Sequence, residues 1–390
     1  MKKNSMLQVN HTNCSSTGEL LDHSLDTVEF YGFNPLEVTL KQHKPARALK
    51  PKATPSFVIP LERKLATLTK SLVAHGLHRG ATPQCTYQLE NGGTKVASLS
   101  LHVVGSTSAI AEGMVLATLT NIARENGLRD YIVHINSVGD KESSARYIRE
   151  LTTYLRAHLN DLPGYARDEM QSGNIVRAFT KLAEKQHELA GEAPNPMEYL
   201  NDESRAHLRN VLEYTENMGI PYELNPTILG SSDCWQHTLF ELRIPDDGGN
   251  HITFARGGRH DSLAQKTFRV ELPVVSVVIE HEIRGRTKPK RRMRVDPKFF
   301  FAQLGPQAKM KSFSVLEHLK TSGVPIAQQV ALESIGDQLQ DAETRSVPYT
   351  VIMGHKEALE DTAIVRNMHD RSQVVVTLAQ LPGYLKRLKV

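Results

Sequence analysis

The stretch from Ser98 to Leu159, SLSLHVVGSTSAIAEGMVLATLTNIARENGLRDYIVHINSVGDKESSARYIRELTTYLRAHL, leaves the chain few ways to fold. Ser106, Thr107 and Ser108 offer side-chain oxygens to the open N–H groups at the start of a helix. Ile110, Met114, Val115, Leu119 and Ile122 fall on one face of that helix, and Gly127 supplies its stop. Tyr131 to Asn136 then reads as a strand, and Gly139 lets the chain turn. Asp140 can cap a second helix, whose buried stripe is predicted as Ala145, Ile148, Leu151, Leu155 and Leu159. The unit is helix, strand, helix, which by periodicity alone suits any α/β core segment.

At 390 residues the chain has length for two domains, each with its own core. A hydrophobic fraction of 39% and a charged fraction of 23% are those of a soluble globular protein. No apolar run approaches the roughly 18 residues of a membrane span. The opening MKKNSMLQVNHTNCSSTGELLDH has two lysines but no apolar core of signal-peptide length, and residues 1–24 read as a flexible lead-in. Cys14, Cys85 and Cys234 are odd in number and far apart, which supports neither a disulfide framework nor a cysteine zinc site. A cytoplasmic location is the expectation, and no metal site is expected. The net charge of +4 is modest, so any nucleic-acid footprint must come from local clustering. The strongest cluster is Arg284 to Lys298 (RGRTKPKRRMRVDPK), with eight Lys or Arg in fifteen residues. Arg284, Arg286, Lys288, Lys290, Arg291, Arg292 and Arg294 form either a solvated linker or a phosphate-binding strip.

VVGSTSAIAEGMV, then GLRDYIVHINSVGD, then a basic amphipathic helix resembles the centre of the histidyl-tRNA synthetase catalytic domain. Other pieces line up in the same order. Leu25 to Leu40 (LDTVEFYGFNPLEVTL) reads as a helix ending near Tyr31-Gly32 and then a strand, and resembles the family's entry, where the first class II motif builds the dimer interface. Leu49 to Ser56 resembles the LRPEMTPS loop, with Lys52 in the acidic position. Residues 160–228 read as helical and polar, corresponding to the family's helical insertion, with Pro194 and Pro196 as breaks. FARGGRHDSL resembles the GGRYD strand and turn, matching at Gly257, Gly258, Arg259 and Asp261.

The resemblance implies where catalytic groups should stand, and there the chain departs from the pattern. In the second class II motif Glu90 matches the glutamate, but Gln88 occupies the place of the arginine that grips the α-phosphate of ATP. Thr94, Lys95 and Ser98 replace the rest of the hairpin's chemistry. In the histidine-pocket run Asp233, Phe240 and Glu241 fit, but Gly230 occupies the place of the catalytic arginine, and Cys234 and Trp235 those of the tyrosines. In the third motif Glu280 matches, while Val278 replaces the glycine and His281 the adenine-stacking arginine. No arginine lies between Arg79 and Arg124, so a small alignment slip cannot supply the second-motif cation. Removing one preorganised donor of this kind costs on the order of 10²–10³ in rate. Three losses at Gln88, Gly230 and His281, even far from additive, predict no useful adenylation. A remnant ligand pocket is expected from Glu90, Asp233, Trp235, Arg259 and Glu280.

From Phe299 the pattern becomes short alternating elements, β-α-β-α-β-β-α, which implies a mixed sheet. SIGDQLQDAE, YTVIMG and VRNM resemble the anticodon-binding domain of the same synthetases. The expected architecture is α+β: a class II antiparallel sheet with helices over residues 25–285, a basic linker at 286–298, and an α/β anticodon-binding-like domain with a mixed sheet over 299–390. The function this implies is a paralogue, expected as a homodimer, that binds tRNA or a related RNA without charging it and needs no cofactor. Two alternatives stand beside it. One is an active histidine-tRNA ligase forming histidyl-adenylate from ATP with magnesium. The other is a regulatory subunit-like protein of histidine biosynthesis, against which residues 299–390 count.

Overall fold

The computed structural model describes residues 17–43, 49–80, 82–91, 96–246, 249–282 and 297–388. In chain order the elements are α1 (Thr17–Phe30), β1 (Asn34–Pro35), α2 (Leu36–Gln42), α3 (Pro60–Ala74), β2 (Gln84–Asn91), β3 (Val96–Val104), α4 (Ile110–Glu125), β4 (Ile132–Gly139) and α5 (Lys141–Ala157). There follow α6 (Gly164–Gln171), α7 (Ile175–Glu184), α8 (Glu188–Gly191), α9 (Asp202–Asn217), β5 (Tyr222–Leu224), β6 (His237–Pro245), β7 (His251–Arg259), α10 (Asp261–Phe268) and β8 (Val274–Glu282). The remainder is β9 (Phe299–Gln303), α11 (Pro306–Thr321), β10 (Ile326–Gln328), α12 (Ile335–Thr344), β11 (Tyr349–Met353), α13 (His355–Leu359), β12 (Thr362–Asn367), β13 (Gln373–Thr377) and α14 (Leu381–Arg387).

Eight strands make one sheet in the order β1-β2-β3-β8-β7-β6-β4-β5. It is antiparallel except at its two edges, where β1 lies parallel to β2 and β5 parallel to β4. Alternation sets its two faces. Leu99, Leu101 and Val103 of β3, with Val275, Val277 and Ile279 of β8, enter the main core, whereas Ser98, Ser100 and His102 face the other way beside Ser276 and Glu280. The second sheet has the order β10-β9-β11-β12-β13, parallel across β10, β9 and β11 and antiparallel beyond. The chain is therefore α+β, a large antiparallel-dominated sheet followed by a smaller mixed one.

Helix α4 is buried along its whole run from Ile110 to Ala123 rather than on one face. The reason is a second layer: α4 is packed on β3 and β8 on one side and touches α1, α9 and α11 on the others. A Cβ on Gly113 would stand 3.2 Å from both Phe313 and Tyr214, whose rings meet edge to face at 5.7 Å. Gln328 of β10 donates to the Tyr31 carbonyl at 2.7 Å, and Lys320 donates to Thr27 at 2.8 Å, so the second sheet's elements are bonded to the first domain.

Several local expectations need correction. The first helix starts at Thr17, inside the segment read as a flexible lead-in, and Leu36–Gln42 is helical rather than a strand because Leu36 packs inward with Leu68 and Leu72. On α5 the buried set is Ser143, Ser144, Tyr147, Leu151 and Leu155, with Asp140 capping Ser143 at 2.9 Å, while Ala145 and Leu159 are exposed. Ser143 packs so closely under Gly139 that a Cβ on the glycine would come within 2.6 Å of it and 2.7 Å of Leu200.

Candidate functional site

The face of the large sheet turned away from α4 gathers the residues that the motifs single out. Gln88, Ser100, Val278, Arg256, Glu241 and His134 stand in one register row across β2, β3, β8, β7, β6 and β4. The next row holds Glu90, Ser98 and Glu280. Here Glu90 accepts from Gln88 Nε2 at 3.1 Å and from Ser98 Oγ at 3.4 Å, and Ser100 Oγ donates to the Gln88 carbonyl at 3.3 Å. Among the described residues the cation bonded to this row is Lys64 of α3, whose Nζ donates to Glu280 at 2.5 Å. Two carboxylates and one ammonium make this row net negative among the described residues. Glu90 and Glu280 stand in one row with Ser98 between them; the His281 side chain and the run Arg284, Arg286, Lys288, Lys290, Arg291, Arg292 and Arg294 lie outside the described residues.

The space around Gly230, where the resemblance sets an arginine, is closed. A Cβ on Gly230 would come within 2.3 Å of Trp235 Nε1 and 2.6 Å of Glu62 Oε1. Glu62, fully buried in the first turn of α3, accepts from Trp235 Nε1 at 2.8 Å, Ser231 N at 2.7 Å, Val58 N at 2.5 Å and Ile59 N at 3.2 Å. Burial raises its pKa, against the pull of these four donors. The indole lies edge-on to His260 at 6.4 Å, and a Cβ on Gly258 would meet its ring at 3.1 Å, so Trp235 fills the space between two glycines. Trp235 is 2% exposed and packs with Ile59, Leu65, Leu239 and Leu263 as a core aromatic. Asp233 ties the turn to the 51–56 loop, accepting from Ser56 N at 2.9 Å and pairing with Lys266 at 3.0 Å. Burial pushes its carboxyl up, but the Ser56 and Lys266 donors outweigh it and hold the pKa low.

Beneath this plug runs a neutral relay. His102 Nδ1 and His260 Nε2 both meet Ser276 Oγ, at 2.8 and 2.7 Å, and His102 Nε2 meets Ser100 Oγ at 3.1 Å. Burial depresses both imidazoles to about 3.

Arg259 does not join Glu90 and Glu280. It follows Gly258 by one residue, so it points to the opposite face of the sheet, in register with the core residue Val275. There it is 1% exposed and forks onto Glu112 of α4, Nε to Oε1 at 2.9 Å and Nη2 to Oε2 at 2.7 Å. It also donates to the Ser106 and Ser108 carbonyls at 2.8 and 3.1 Å, while Ser108 Oγ accepts from the Ile110 N–H at the start of α4 at 3.4 Å. Glu112 further accepts from His207 at 2.9 Å and Thr238 at 2.7 Å. Burial alone would push the Glu112 carboxyl up, but Arg259 holds it well below the usual carboxylate range.

Four polar residues here were not picked out from the sequence as site residues: Glu62, Glu112, Arg243 and Arg256. Glu241 is fully buried, and Arg243 bonds it through Nε and Nη2 at 2.9 and 2.8 Å while Arg256 pairs with its other oxygen. Arg256, next to the glycine pair of FARGG, is the one with a visible signal. Its parity with Gly258 puts it on the motif face.

Among families of known domains, the anticodon binding domain matches residues 300–388. The histidine–tRNA ligase of Halothermothrix orenii is 29% identical over 294 residues, covering 74% of this chain and 70% of that protein. The histidine–tRNA ligase of Halalkalibacterium halodurans is 25% identical over 340 residues, covering 83% and 79%. A solved structure of the apo histidyl-tRNA synthetase of S. aureus covers 95% of both chains at 19% identity with a TM-score of 0.49. No helix among the described residues is long and apolar enough to cross a membrane.

Proposed function

The chain belongs to the histidyl-tRNA synthetase family, and from that premise we propose that it binds tRNA or a related RNA without activating an amino acid. The observation that carries this reading is the closed position at Gly230. Activating a carboxylate with ATP builds negative charge at the α-phosphate, which fixed cations must offset. Gln88 is uncharged and Gly230 is walled off by Trp235 and Glu62; among the described residues Lys64 is paired with Glu280 and Lys266 with Asp233, while Arg243 and Arg256 share Glu241 on the outer strands β6 and β7. RNA binding is supported by the domain match over residues 300–388 and by the basic run of the sequence at 284–298.

In this reading the division falls between a synthetase-like body, α1 included, and the domain from residue 299. The protein works as a homodimer in the cytoplasm, and the pocket residues Glu90, Asp233, Trp235 and Glu280 hold no nucleotide. The test is ATP–pyrophosphate exchange with histidine beside tRNA binding titrated against salt. Expected are exchange at background and an affinity falling steeply as salt rises, since cations that neutralise phosphates release counterions. The likeness to named histidine–tRNA ligases over 74% of the chain favours an active enzyme as the second reading. Robust exchange would establish it.

A further inference from the structure

On the outer half of the motif face a groove of about 610 Å³ opens between the α7–α8 corner and the β6–β7 hairpin. Its floor is shaped by an irregularity: Leu242 pairs with Ala255 but Arg243 pairs with Thr253, so Phe254 is an extra residue in β7. A bulge of this kind puts Thr253 and Arg256, three apart, on one side of the sheet with Glu241 and Arg243. Thr253 Oγ1 donates to Glu241 Oε2 at 3.2 Å. A guanidinium has five N–H donors. Arg243 uses its Nε and Nη2 edge and Arg256 an Nη2, which leaves Nη1 of Arg243 and Nε and Nη1 of Arg256 without partners among the described residues. Beside them His134, 8% exposed and in register with Glu241, is held through Nδ1 by Asn225 at 3.0 Å, and its Nε2 has no partner among the described residues. Two guanidiniums on one carboxylate leave a unit of positive charge on the floor. Glu184 and Glu188, both exposed, stand at the rim.

We propose that this groove binds a small carboxylate-bearing molecule, its carboxylate seated on the free edges of Arg243 and Arg256. Paired planar N–H donors match a carboxylate. The rim carboxylates set the class further, because they oppose the multiple charge of phosphates and polyphosphates while a carboxylate on the floor is neutralised. The volume is that of an ordinary small-molecule site. The site lies apart from the plug at Gly230 and requires no chemistry, so it stands whether or not the protein binds RNA.

The test is calorimetric titration of the full chain at fixed ionic strength with succinate, inorganic phosphate and ATP as probes. Succinate is expected to bind saturably, with phosphate and ATP giving no more heat than chloride. Arg243→Gln is expected to weaken succinate on the order of tenfold to a hundredfold, the worth of a charge-assisted contact. Since Arg243 also supports the buried Glu241, the paired substitution Glu184→Gln with Glu188→Gln at the exposed rim gives an independent reading. It should strengthen succinate a few-fold and let phosphate in. No saturable heat with succinate, or rim and floor variants that leave its affinity unchanged, would overturn the proposal.

Discussion

The two faces of the eight-stranded sheet come from alternate residues of the same strands, but they have opposite characters. Toward α4 lie Leu99, Leu101, Val103, Val275, Val277 and Ile279, all buried, with Arg259 and Glu112 as a matched buried pair. Away from it lie Gln88, partly exposed, the exposed Glu90 and Glu280, and the buried Ser98 and Ser100 between them, joined by longer hydrogen bonds. One parity of residues builds the core, and the other lines the face where side chains can do chemistry. The architecture of the sheet can therefore stand whatever side chains line its other face.

The sharpest way to break the contrast is to strand a charge on the core face. Arg259→Met leaves Glu112 buried with only His207 and Thr238, and should cost about 3–5 kcal/mol in denaturant unfolding. A loss under about 1 kcal/mol would mean Arg259 is not the structural cation its geometry makes it. Next in size is Leu101→Ala, which opens a cavity between β3 and α4 and should cost about 2–5 kcal/mol. Its register partner on β2, Tyr87, is only partly buried, so the same truncation there should cost less.

How far these faces were legible in the sequence depended on distance along the chain. Helix α4, strand β4 and helix α5 were readable because caps and periodicity lie within a few residues, as Asp140 and Ser143 show. The element order after residue 299 was readable for the same reason, except that the five-residue helix α13 stands between β11 and β12, where the expected order runs from strand to strand. Helix α2 was misread because its inward Leu36 is decided by Leu68 and Leu72, which no local pattern announces. The grouping of Arg259 with Glu90 and Glu280 failed on parity, since one step along a strand reverses the face. The closing of Gly230 was beyond local reading, because Glu62 meets Trp235 across 173 residues of chain.

A smaller effect near neutrality tests how dry the space beneath Trp235 is. His102 and His260 are neutral in the fold with pKa values near 3, against about 6.5 in an unfolded chain. Below pH 6.5 the unfolded state binds protons that the folded state refuses, so stability should fall as pH drops from 6.5 toward 3. The slope is about 1.4 kcal/mol per pH unit for each withheld proton. Replacing His102 with Gln should remove one proton's worth of that slope, read from unfolding midpoints between pH 7 and 4.5. A slope unchanged by the substitution would mean that His102 is not the neutral buried group described.

The smallest expected change is the most pointed for function. Gln88 lies on the motif face, partly exposed, its side chain donating to Glu90 among the described residues, so Gln88→Arg should shift stability by less than about 0.5 kcal/mol. It would also restore a guanidinium beside the two carboxylates. If charge at this one position were all that the face lacks, exchange activity with ATP and histidine should appear in the variant. With Gly230 still sealed by the indole and Glu62, none is expected. A second substitution, Gly230→Arg, cannot be accommodated without expelling Trp235 from its 2% exposed site. Activity recovered by Gln88→Arg alone would therefore mean that the seal at Gly230 is not what silences the face, and that the loss lies in the exposed row.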